Sequence, residues 1–139
     1  MEFNLLRNSF TKQEAKNLNP LVLAFVGDAI YELFIRAYIV NENRTTHVHK
    51  LHVKAVSFVK AHAQSEFIKK LLDSLNEEEL SIYKRGRNSK SGTVPKNADL
   101  CEYRSATGFE AIFGYLYLTE QNDRINYLLD KIIKIKIGE

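Results

Sequence analysis

Apolar residues crowd most densely between Pro20 and Val40, where Leu21, Val22, Leu23, Phe25, Val26, Ile30, Leu33, Phe34 and Ile35 leave almost no polar side. Asn19 is a favoured N-cap and Pro20 suits a first helical position, so the pattern predicts a helix from there to about Tyr38. A helix apolar nearly all round belongs in the interior of a domain. Before it, Ser9 or Thr11 can cap a short helix reaching Asn17, with Leu5, Leu6 and Phe10 to pack it. After it, Thr45 or Thr46 can cap a helix to about His62, in which Leu51, Ala55, Phe58 and Val59 share one face.

The pattern then predicts a helix from about Ser65 to Leu75, and Asn76 as the cap of another running from Glu77 toward Arg87. The acids Glu77, Glu78 and Glu79 fall where a helix N-terminus favours negative charge, which explains them without a metal. Asn88 to Asn97 reads as an irregular loop rich in Ser, Gly and Pro. A short turn through Asp99 to Tyr103 precedes a second strongly apolar helix, about Ser105 to Thr119, and a last helix starts near Asn122. The expectation is an all-α protein of about seven helices.

Composition changes this little. A chain of 139 residues makes one domain, 1–139, large enough to bury roughly two-thirds of its unfolded surface. The single cysteine, Cys101, cannot form an internal disulfide, which fits a reducing compartment. The first residues hold Glu2, Arg7, Lys12 and Glu14 and no apolar run, so no signal peptide is expected. Asp28, Glu32 and Arg36 interrupt the most apolar window, so no membrane span is expected either. A cytoplasmic protein follows.

Charge is informative through its distribution. The net charge is only +3, yet Asn43 to Ser65 holds no acid while carrying Arg44, Lys50, Lys54, Lys60 and the histidines His47, His49, His52 and His62. Either a phosphate-facing helix or a merely solvated face accounts for that. The histidines lack the neighbouring cysteine or carboxylate that a zinc site needs. A second acid-free stretch, Ser81 to Asn97, contains Lys84, Arg85, Arg87, Lys90 and Lys96 among hydroxyl and amide donors. That combination suits phosphate oxygens.

Two carboxylates need a reason. Asp28 and Glu110 each interrupt an apolar helix with glycine close by, Gly27 in the first and Gly108 and Gly114 in the second. An acid inside such a helix is costly unless bonded, paired or coordinating a cation. One explanation is a ladder of Asp28, Glu32 and Arg36 at helical spacing. The other is that Asp28 and Glu110 meet at the edge of the packed helices and share Mg²⁺, which completes its coordination with water and phosphate. With the basic loop this points to metal-assisted hydrolysis of a phosphodiester. Nucleophilic catalysis by Cys101 or a serine triad has no local motif to support it.

The run FVGDAIYEL (Phe25 to Leu33) resembles the ribonuclease III signature E-F-L-G-D-A, and ATGFEAIFGYLYL (Ala106 to Leu118) resembles that family's second carboxylate helix, A-D-x-F-E-A-x-x-G-A-I-Y-L. The intervening YKRGRNSKSGTVPKNAD, followed by EYRSATGFEA, is similar to the Mini-III branch, which lacks a double-stranded-RNA-binding domain. The resemblance spans about Leu18 to Leu118. It implies a helical endonuclease domain acting as a homodimer that cuts double-stranded RNA with Mg²⁺, or Mn²⁺ in its place. The usual substrate is the large-subunit ribosomal RNA precursor.

By position, Asp28 matches the signature aspartate and Glu110 the metal-binding glutamate, which makes them the implied catalytic and metal residues. Lys84, Arg85, Arg87, Lys90 and Lys96, with Lys50 and Lys54, are the candidates for RNA contact. Two family acids are absent, replaced by Ala24 and Thr107. Their loss supports the rival reading of a catalytically silent module that binds RNA or the ribosome.

Overall fold

A computed structural model of the chain describes residues 10–90 and 94–138. Ser9, Leu5 and Leu6, and the Ser91 to Thr93 part of the loop, lie outside the described residues. Within them are seven α-helices: α1 (Lys12–Lys16), α2 (Pro20–Glu42), α3 (Val48–Val59), α4 (Ala61–Leu71), α5 (Glu77–Asn88), α6 (Leu100–Leu118) and α7 (Asn122–Ile137). No strand occurs among the described residues.

The helix starts follow capping chemistry. The Thr11 side chain accepts from the Glu14 N–H while the Thr11 N–H donates to the Glu14 carboxylate, and Asn76 does the same with Glu79, so both form capping boxes. Asn19 accepts from the Leu21 N–H at 2.8 Å ahead of Pro20. Asp99 accepts from the Glu102 N–H, which starts α6 at Leu100, five residues ahead of the Ser105 expected from hydrophobicity.

The largest departure from the pattern lies at Lys60. Its extended backbone, ψ 151°, ends α3 and begins α4, where the apolar spacing suggested one helix continuing to His62. Ending a helix frees carbonyls. Here Tyr31 from α2 donates to the Phe58 carbonyl at 2.9 Å, and Gln64 donates to that of Val59 at 2.9 Å. Partners distant in sequence or beyond the break thus compensate what the local pattern opposed.

α6 is the enclosed axis of the fold. Phe109, Ala111, Ile112, Phe113, Tyr115 and Leu116 are all at most 1% exposed, and α2, α4, α5 and α7 all pack on it. α2, which the sequence placed in the interior, is covered on one side only. Leu23, Ala24, Gly27, Tyr31, Ile35 and Ile39 face inward, while Val22, Phe25, Leu33 and Val40 are exposed, Phe25 at 80%. Tyr31 stacks edge-on against Phe109 at 4.8 Å between ring centroids, joining the two helices at the core.

Candidate active site

The site begins where α2 crosses α6. A Cβ on Gly27 would land on the Glu110 carbonyl oxygen, and one on Gly114 would land on that of Leu23. Glycine at both positions lets the backbones touch, and only then does the residue after Gly27 reach the Glu110 side chain. Asp28 and Glu110, 82 residues apart in the chain, are close enough for their carboxyls to act on each other.

Their surroundings differ. Asp28 is exposed, whereas Glu110 is partly buried. Burial pushes the Glu110 carboxyl up to about 9, the hydrogen bond and charge of Asp28 push the same way, and Glu32 adds a smaller push. Gln64 opposes them with an N–H 3.5 Å from Glu110 Oε2. A carboxyl that holds its proton beside a second carboxyl is a place where a cation can replace the proton.

The donor set fits a hard divalent cation, with a limit. Both donors are carboxylate oxygens, as Mg²⁺ prefers, but among the described residues no three acids, histidines or cysteines lie close enough to hold an ion together. Two carboxylates suffice for an ion that keeps water and takes ligands from phosphate. Ala24 is buried in the core, and Thr107 donates to the Tyr103 carbonyl at 3.0 Å, so neither adds a charged donor.

Glu32 takes the structural role expected of it. It pairs with Arg36 at 3.2 Å on the helix surface, an interaction of small energetic weight. Asp28 leaves that ladder for Glu110. Among the histidines, His62 meets Glu102 at 2.6 Å, and no histidine joins a metal-binding group among the described residues.

The basic candidates divide by what they touch. Lys84, Lys90, Lys96, Lys50 and Lys54 are exposed. Arg85 is exposed too, and donates to the carbonyls of Lys16 at 2.7 Å and Leu18 at 3.4 Å, bracing the end of α1. Arg87 lies over the Tyr83 ring and donates to Asn88. Lys90 lines a small cleft with Leu21, Tyr103 and Thr107. Arg104 lines it too; charge distribution alone does not single it out, although it stands six residues before Glu110 in the motif EYRSATGFEA.

The domain is thus all-helical among its described residues, with an acid pair where its two most apolar helices cross. A family profile described as "Ribonuclease III domain" matches residues 21–121. A Mini-ribonuclease 3 from Clostridium tetani is 52% identical over 130 residues, covering 94% of this chain and 86% of the relative. Another from Enterococcus faecalis is 49% identical, covering 91% and 96%. A crystal structure of a Fusobacterium nucleatum protein superposes with a TM-score of 0.78 at 36% identity, covering 87% of this chain and 96% of that one. The chain belongs to the ribonuclease III family, a family of endoribonucleases.

Proposed function

We propose that the chain is a Mg²⁺-dependent endoribonuclease specific for double-stranded RNA, with Asp28 and Glu110 as its metal-holding and catalytic residues. The observation that carries this is the contact between those two carboxyls and the upward push on Glu110. A divalent cation bound there would lower the pKa of water and stabilise the departing 3′ oxygen. Mn²⁺, similar in its preference for oxygen ligands, would serve in place of Mg²⁺.

The protein's own groups do the rest. Asp28, exposed, is reachable by a phosphate, while Glu110 is braced from within by Gln64. Lys84, Lys90 and Lys96, with Lys50 and Lys54, contact RNA phosphates, and a duplex is held through shape and backbone rather than base edges. Arg85 contributes through the fold. The substrate we favour is the large-subunit ribosomal RNA precursor, the product of a cytoplasmic pathway. No described helix is long and apolar enough to cross a membrane.

A duplex has two strands, and one acid pair serves one of them. The apolar stripe of Val22, Phe25, Leu33 and Val40 on α2 supports a homodimer that brings two sites to one duplex. The test uses a long RNA duplex in Mg²⁺ with wild type and Asp28→Asn. Cutting by wild type alone supports the reading; binding by both with cutting by neither replaces it with the silent RNA-binding module that Ala24 and Thr107 suggest.

A further inference from the structure

Gln64 is 1% exposed at the start of α4, four residues beyond the Lys60 break. Its Nε2 donates to the Val59 carbonyl at 2.9 Å and lies 3.5 Å from Glu110 Oε2 as a second donor contact. An amide nitrogen carries two hydrogens, so each has an oxygen to meet. A backbone carbonyl only accepts, so Val59 sets which end of the amide faces it and therefore which end faces Glu110. The opposite end, Gln64 Oε1, is buried without a partner, the only side-chain nitrogen or oxygen in that condition among the described residues.

Packing gives no reason for that arrangement. Leucine or methionine would fill a similar volume without burying an unpaired acceptor, which is unfavourable. Nor does the break depend on Gln64 alone, because Tyr31 independently holds the Phe58 carbonyl. What an amide adds, and an apolar side chain cannot, is one N–H for the Val59 carbonyl and a second directed at the Glu110 carboxylate, and only the second reaches the acid pair. We infer that Gln64 is a positioning residue, which holds one carboxylate oxygen of Glu110 so that the group faces Asp28 in the orientation a divalent cation needs. Through Val59 the same amide ties Glu110 to the end of α3, the helix that carries Lys50 and Lys54. The inference rests on the reading of Asp28 and Glu110 as a metal pair.

The experiment titrates Mn²⁺ calorimetrically into RNA-free wild type, Gln64→Leu, Gln64→Met and Asp28→Asn, with a thermal melt of each. Both apolar variants should bind Mn²⁺ about tenfold or more weakly, as loss of an outer partner of a metal ligand does, and melt within a few degrees of wild type. Their cleavage of duplex RNA should need proportionately more Mg²⁺ and recover at saturation, which a damaged fold would not do. Unchanged Mn²⁺ affinity in both, with binding lost in Asp28→Asn, overturns the role of Gln64 and leaves the metal pair standing. If wild type binds no Mn²⁺, or Asp28→Asn binds it equally, the metal reading falls and this inference with it. Weakened affinity joined in both variants to a large drop in melting temperature also overturns it, since Gln64 would then serve packing.

Discussion

Gly27 and Gly114 face each other across the α2–α6 crossing so closely that a Cβ on Gly27 would stand 2.7 Å from the Gly114 nitrogen, and one on Gly114 would stand 3.1 Å from the Gly27 nitrogen. The nearest obstacles are backbone atoms, which cannot rotate aside. In isolation either helix would gain roughly 1 kcal/mol from alanine in place of glycine. Here the sign reverses. Gly27→Ala and Gly114→Ala should each destabilise the protein by about 1–3 kcal/mol or more, the usual cost of overpacking, and also separate Asp28 from Glu110. Chemical denaturation and Mn²⁺ binding measure the two effects. Gly138→Ala, at the exposed end of α7 with its nearest neighbour at 3.3 Å, is the control that should change neither; a stable, metal-binding Gly27→Ala would contradict the crossing described.

The acid pair makes stability depend on pH in a defined window. Glu110 titrates at about 9 in the fold, chiefly through burial and then Asp28, against 4.5 without those influences. Between those values the folded protein holds a proton that the unfolded chain releases, so metal-free stability falls as pH rises from about 4.5 to about 9. Glu78 shifts the other way, held low by the Tyr115 hydroxyl and then by Lys12, and its contribution is lost only as pH falls below the ordinary carboxylate range. Urea titrations in EDTA across the window should show the decline. Asp28→Asn should narrow the window without abolishing it, because burial, the larger cause, remains, and Mg²⁺ should offset the decline by occupying the place of the proton. Level stability in EDTA from pH about 5 to about 9 would remove Glu110 as a proton-holding group.

Several of these features were legible in the sequence, and the exceptions share a cause. Asn19 before Pro20 and Asn76 before its three acids are local signals, and each led to the helix start observed. Arg85 is a candidate for RNA contact in the sequence, where its bonds to the Lys16 and Leu18 carbonyls cannot be seen because those backbone groups lie far back in the chain. The bidentate pairing of Arg124 with the buried Glu79, at 2.8 and 2.7 Å, was hidden for the same reason, being separated by 45 residues. The Lys60 break depends on Tyr31, again from another helix. Gln64 carried no signal at all, since a glutamine in a polar-looking helix start resembles any solvated residue. Contacts over long sequence separations decide these cases, and neither periodicity nor composition encodes them.

The division among the cations is testable by separating binding from stability. Arg85→Ala should lower stability by roughly 1 kcal/mol through its missing hydrogen bonds, with little change in the salt dependence of RNA binding. Lys84→Ala, Lys90→Ala and Lys96→Ala combined should leave the melting temperature near wild type. They should reduce the slope of log affinity against log salt by about one for each phosphate that is no longer neutralised. Filter binding of a catalytically blocked Asp28→Asn background to duplex RNA at several salt concentrations reads the slope directly. If the triple variant keeps the full slope, the duplex runs elsewhere, and Lys50 and Lys54 on α3 become the next residues to replace.

The exposed side of α2 bears on how many sites meet one duplex. Val22, Phe25, Leu33 and Val40 recur at spacings of three, eight and seven residues, which keeps them along one stripe of the helix, and their exposures run from 45% to 80%. A stripe of this kind is costly to leave in water, and burying a side chain the size of Phe25 is worth about 1.5–3 kcal/mol. Sedimentation equilibrium of wild type should therefore report twice the mass of the chain. Phe25→Arg should shift the population to the single-chain mass at micromolar concentration, because a second copy would have to bury an unpaired charge. Its helix should remain intact, since Phe25 takes no part in the core, and circular dichroism would check that. The variant's consequence for cleavage is specific: a duplex met by one acid pair at a time should accumulate nicked strands before double-strand breaks. Simultaneous cleavage of both strands by a variant that sediments as a single chain would show that pairing along α2 is not what brings two sites to the RNA.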